Sequence, residues 1–150
     1  MKPNIDFFNC KLYDKEAILN WELPEKARKE LDLENYDYFF VTAPKESKHE
    51  GHKHVHLSIY PTKYDIINLI EVKTSKIEPA VLNKILKSLD NQGFDIITST
   101  GFCNKKGNCY LGVFFSKKNE KEVDIADLNK IKEVKDINIF DYSCDGLCEE

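Results

Sequence analysis

Apolar and polar positions along this chain follow two different periods. Over "EPAVLNKILKSLDNQG" (Glu78–Gly93), Val81, Leu82, Ile85, Leu86 and Leu89 recur every three or four residues, which places one apolar stripe on a helix. Pro79 suits the first turn, and Gly93 stops the helix. "VDIADLNKIKEV" (Val123–Val134) carries Ile125, Leu128 and Ile131 three apart and predicts a second helix. Around these lie runs rich in β-branched and aromatic residues: "YDIINLIEVKTS", "FDIITSTGFC", "NCYLGVFFS" and "DINIFDYSC". Each reads as a strand. The middle two are joined by "NKKGN", a hairpin turn. The predicted order over this half is β-α-β-β-α-β, the ferredoxin-like split-βαβ arrangement.

The first half is patterned differently. In "ELPEKARKELDLENYDYFFVTAP" (Glu22–Pro44), Pro24 opens a helix of about two turns, with Ala27, Leu31 and Leu33 as its stripe. "DLENYD" reads as a turn and "YDYFFVTA" as a strand. "HVHLSIYP" alternates, with Val55, Leu57 and Ile59 on one face and His54, His56, Ser58 and Tyr60 on the other. Upstream, "CKLYDKEAILNWEL" predicts one or two more strands. The pattern changes between Pro61 and Tyr64. The expectation is an α+β protein with a first domain over residues 1–61 and a second over 62–150.

Composition narrows the class. The chain has 150 residues, 41% apolar and 32% charged, as a globular protein requires. No run approaches the roughly 20 apolar residues of a membrane span, and the N-terminus does not resemble a signal peptide. The expectation is a soluble, cytoplasmic protein with no membrane partner. Residues 1–62 hold nine basic and eleven acidic residues, and residues 63–150 hold thirteen and fifteen, so each half is net −2. Neither half has the basic excess that phosphate-backbone binding usually brings. A single arginine, Arg28, stands among 21 lysines, which weighs against bidentate reading of guanine edges.

The second half resembles an ACT-type regulatory domain through "EPAVLNKILKSLDNQGFDII". In that pattern a strand ends at a Pro-Gly turn, a helix follows, and a glycine-led motif opens the next strand. Pro79 matches the proline, Ala80 stands in place of the glycine, and Glu78 matches the acidic residue before them. The resemblance implies a dimer that senses an amino-acid-like effector near Lys76, Glu78, Pro79 and Ala80. Residues 10–61 resemble a swapped-hairpin domain of the AbrB type through the spacing Leu23-Pro24, Arg28, Leu31, Leu33, Asp37. Asp32 and Tyr36 stand where that pattern carries glycines, and "AILNWE" replaces its polar entry. This resemblance implies an interleaved dimeric barrel with a short helix and binding to DNA. Lys11, Lys15, Lys26, Arg28 and Lys29 would be the phosphate contacts. An ordinary solvated face balanced by Glu25 and Glu30 is the plainer alternative.

All four histidines fall in "HEGHKHVH". His52, His54 and His56 share strand parity and would lie about 6.5–7 Å apart, so zinc or nickel is a candidate ligand. An exposed patch that protonates at mildly acidic pH is the default. Five cysteines in a chain without a secretory pattern read first as plain thiols. Cys103 and Cys109 flank the hairpin turn and would face each other, which makes a redox pair easier than a zinc site shared with Cys144 and Cys148. There is no G-x-S-x-G, glycine-rich phosphate loop or H-E-x-x-H, so an enzyme is not expected. The leading expectation is a dimeric transcription regulator with a small-molecule sensor. The alternative is an assembly or protein-interaction module of the same architecture, with metal binding open to either.

Overall fold

The structure is a computed structural model and describes residues 8–44, 56–116 and 121–144. Its elements run β1 (Phe8–Asp14), α1 (Lys15–Leu19), α2 (Glu25–Glu30), β2 (Tyr38–Pro44), β3 (Ser58–Thr62), β4 (Ile66–Thr74), α3 (Pro79–Asn91), β5 (Asp95–Cys103), β6 (Cys109–Ser116), α4 (Ala126–Asn129) and β7 (Val134–Ser143). This is a mixed α+β chain with two sheets, one ordered β1-β2-β3 and one ordered β5-β6-β4-β7. It divides into two compact units. Among the described residues, one holds 8–66 with 142–144, and the other holds 67–116 with 121–141.

In the first unit, β2 pairs antiparallel with both β1 and β3. Its core gathers Ile18, Leu31, Phe39 and Val41, with Tyr13, Trp21, Leu23 and Ile59 packed around them. The segment expected to continue as a strand after Asp14 is a helix instead. The Asp14 carboxylate accepts from the Ala17 N–H at 2.9 Å, a side-chain cap that satisfies a free donor of the first turn. Ile18, on that helix, is buried. A second correction concerns "HVHLSIYP". The strand begins only at Ser58, so His56 and Leu57 precede it, and Leu57 is 55% exposed rather than inward-facing. The register explains this. Thr42 pairs with Ser58, so position 56 would oppose Pro44, which has no N–H for the ladder. His54 and Val55 lie outside the described residues.

In the second unit, β6 pairs antiparallel with β4 and with β5, with a register shift between Ile96 and Thr98. Helix α3 buries Val81, Ile85 and Leu89 against Ile70, Val72, Leu111, Val113 and Phe115. Gly93 ends it at φ 84°, the left-handed conformation that glycine adopts without a Cβ clash. Gln92 fastens the helix end to the segment before α4. Its amide nitrogen donates to the Asp124 carbonyl at 3.0 Å and its carbonyl accepts from the Asp124 N–H at 2.8 Å.

The second helix is far shorter than the sequence pattern predicts. Only Ala126–Asn129 are helical, and the chain then turns into β7 at Val134. Ile125, Leu128 and Ile131 still pack on the core. A spacing of three is met equally well by one helical turn followed by a bend, so the burial came without the helix.

Candidate functional site

The turn from β4 into α3 brings together the residues expected to meet an effector. Thr74, fully buried, ends β4 and donates its hydroxyl to the Lys76 carbonyl at 2.8 Å. This side chain-to-backbone bond fixes the bend. The Lys76 ammonium lies 2.7 Å from a Glu78 carboxylate oxygen. The hydrogen bond to Glu78, and then its charge, hold the ammonium above its ordinary range. The Glu78 carbonyl accepts from the Val81 and Leu82 N–H groups at 3.1 and 3.2 Å and so starts the helix. Pro79 and Ala80 follow, both exposed, in the first turn of α3.

Ile77 lies between the two ion-pair partners and is 41% exposed. It rests against β5 at Gly101. A Cβ there would come within 3.1 Å of Ile77 Cδ1 and 3.0 Å of Leu111 Cδ2. The glycine is what lets the turn approach the strand.

The β5–β6 hairpin borders this turn. Asn104 holds its tip, its side-chain oxygen accepting from the N–H groups of Lys106 and Asn108, each at 3.0 Å. Cys103 and Cys109 occupy directly opposed positions and form a disulfide, with Cα atoms 4.0 Å apart. The expectation of plain thiols is corrected for these two residues. Antiparallel strands bring directly opposed Cα atoms to about 4.5–5.5 Å, within reach of the bond. Cys109 is buried, and its sulfur lies 3.8 Å from the Ser75 carbonyl oxygen.

The residues expected to contact phosphates are spread over β1, α1 and α2 of the first unit. Lys11, on β1, places its ammonium 5.0 Å from the Tyr13 ring centroid. Lys15 pairs with Asp37 at 3.6 Å, and Lys29 pairs with Glu25 at 3.6 Å. Lys26 and Arg28 are exposed on α2, which buries none of its residues. Of the three histidines expected to bind metal, His56 is exposed, and His52 and His54 lie outside the described residues. Among the described residues no three histidine, cysteine or acidic side chains converge on a common point. Cys148 also lies outside them. Among the described residues no helix is long and apolar enough to cross a membrane.

Sequence reading missed two buried polar residues. Asn68 and Glu71 interrupt "IINLIEV" and are 0% and 1% exposed. Asn68 donates its amide to the Asp141 carboxylate, while its own carbonyl oxygen is buried without a partner. Glu71 stands opposite Gly112 in the register. The signal was available, because a near-continuous apolar run marks a strand buried on both faces, and these two polar residues lie inside one.

No protein-family model matches this sequence, and comparison with curated proteins finds no match.

Proposed function

We propose that this chain is a dimeric regulatory protein whose second unit senses a small charged molecule, of the amino-acid class, at the β4–α3 turn. The observation that carries the reading is the Lys76–Glu78 pair, its lysine exposed and its glutamate half-buried, held on a braced bend at the start of α3. An ammonium and a carboxylate side by side complement the two charges of a free amino acid. A ligand would exchange one partly solvated ion pair of modest worth for two new ones. The element order from β4 to β7 and the strand order β5-β6-β4-β7 support a ferredoxin-like, ACT-type unit.

For the first unit, Asp32 supports the AbrB-type reading. It holds φ 51° at the position where that pattern carries glycine, and Asn35 donates to its carboxylate at 2.8 Å. Aspartate is one of the few non-glycine residues that tolerates this conformation. The output implied is transcriptional regulation through DNA. A second reading is favoured by the ion pairs of Lys15 and Lys29, which already engage two of the five cations assigned to phosphate. On that reading the first unit contacts protein instead.

The test is thermal denaturation of the full chain with a panel of free amino acids. One chemical class is expected to raise Tm, by about 2.7 kcal/mol of added stability at one hundred times Kd, and Lys76→Ala abolishes the rise. A flat panel overturns the sensor reading. Fluorescence anisotropy with a mixed-sequence duplex then separates the outputs. Binding that falls steeply with salt supports DNA, and absence of binding at low salt supports the protein-contact reading.

A further inference from the structure

We infer that the Cys103–Cys109 pair is a thiol–disulfide exchange site for small thiols of the glutathione class. Three observations carry the inference, and none depends on the effector reading.

The first is an asymmetry of access. Cys103 is exposed, whereas Cys109 is 4% exposed. Exchange requires a thiolate to reach one sulfur in line with the other, so access decides which sulfur is attacked, and exposed disulfides are the labile ones. The second is the electrostatic setting. The pair closes a loop that contains Lys105 and Lys106, both exposed, and no acidic residue. Neighbouring cations favour the thiolate forms that exchange passes through. The third is that the fold does not need the bond to hold the hairpin. Strands β5 and β6 pair from Asp95↔Ser116 to Cys103↔Cys109, and the Phe102 and Tyr110 rings stack at 5.5 Å beside the disulfide. The bond can open and close on a preformed scaffold.

The step balances as follows. A small thiolate attacks Cys103 Sγ, forming a mixed disulfide and breaking the Cys103–Cys109 bond. Cys109 leaves as a thiolate and takes a proton from solvent. A second small thiol resolves the mixed disulfide, releasing Cys103 as a thiol and the small molecule as its own disulfide. Two electrons and two protons pass to the protein, and the small thiol is oxidised. The reverse sequence restores the bond.

The consequence for the neighbouring turn follows from hydrogen bonding. In the disulfide, Cys109 Sγ has no proton to donate to the Ser75 carbonyl 3.8 Å away. As a thiol it becomes a weak donor. Reduction thus gives the Ser75–Glu78 bend a partner that the oxidised form lacks.

The experiment uses the full chain. Cys109→Ser and Cys103→Ser variants are incubated with oxidised glutathione, and the adduct is located by peptide mass. Cys109→Ser is expected to take one glutathione on Cys103, at least tenfold faster than Cys103→Ser takes one on Cys109. Equal rates or the reverse order overturn the assignment of the attacked sulfur. In wild-type chain, reduced glutathione is expected to open the pair and oxidised glutathione to close it, with the far-ultraviolet circular dichroism unchanged. A pair that resists reduction while the fold is intact, or a fold that is lost with it, overturns the exchange site. The Lys76 amide resonance is expected to move on reduction. Movement confined to residues 102–110 overturns the link to the turn.

Discussion

The two units meet the same requirement, covering a sheet, with different means. In the second, the 13-residue helix α3 contributes Val81, Ile85 and Leu89 to one continuous core. In the first, α1 and α2 span only five and six residues, and between them bury only Ile18. Isolated helices of that length are marginal, so they persist through caps and tertiary contacts. The first unit therefore leans on local devices: the Asp14 cap, the Lys15–Asp37 ion pair reinforced by the Lys15 N–H bond to the Asp37 carbonyl, and the Asp32 turn. Its short helices leave most of their surface exposed, whereas the long helix of the second unit buries a full stripe in the core.

Substitutions can break this contrast. The largest effect is expected for Ile85→Ala, which empties the centre of the α3 core and should cost about 2–5 kcal/mol in urea denaturation. Lys26→Ala or Arg28→Ala on α2 should stay within about 0.5 kcal/mol. A loss above that would show that α2 is packed. Reduction of Cys103–Cys109, or the double serine variant, should cost about 2 kcal/mol by the loop-entropy relation, measured by the shift in denaturation midpoint. Asp14→Ala should cost about 1 kcal/mol through loss of the cap, with amide exchange rising first in residues 15–19. Asn68→Leu sharpens the comparison. It removes a buried carbonyl without a partner but also the amide bond to the Asp141 carboxylate, so the two effects offset and stability should stay within about 1 kcal/mol.

The smallest effect expected is at high pH. Partial burial, and then the charges of Asp65, Cys144, Asp37 and Asp14, hold the Tyr38 hydroxyl above its ordinary value of 10.0. The folded chain keeps this proton longer than the unfolded chain. Its contribution is therefore complete below about pH 10 and is lost as pH rises through the raised value. Tyr38→Phe should flatten the alkaline limb of the stability curve. An unchanged limb would assign the loss to other groups.

The turn from β4 into α3 was legible because its residues are neighbours in sequence. Pro79 and the stripe through Leu89 announce the helix, and Lys76 and Glu78 precede it. The disulfide was half legible. Cys103 and Cys109 flank a recognisable turn, but whether they meet depends on strand register. Asn68 and Glu71 were visible as interruptions and went unread, because burial on both faces is a property of the assembled sheet.

Sequence alone determined what depends on local period and chemistry: the α+β class, helix α3 with its proline start and glycine stop, the hairpin at "NKKGN", and the absence of a basic surplus. Only the tertiary structure decided the rest. It favoured helix at Lys15–Leu19 by burying Ile18 against Leu31, Phe39 and Val41, cut the second predicted helix to Ala126–Asn129, and ended the ladder of β3 where Pro44 has no N–H to offer. In each case a local pattern was compatible with two conformations, and the choice lay with a hydrogen-bond partner or an apolar surface contributed from elsewhere in the chain.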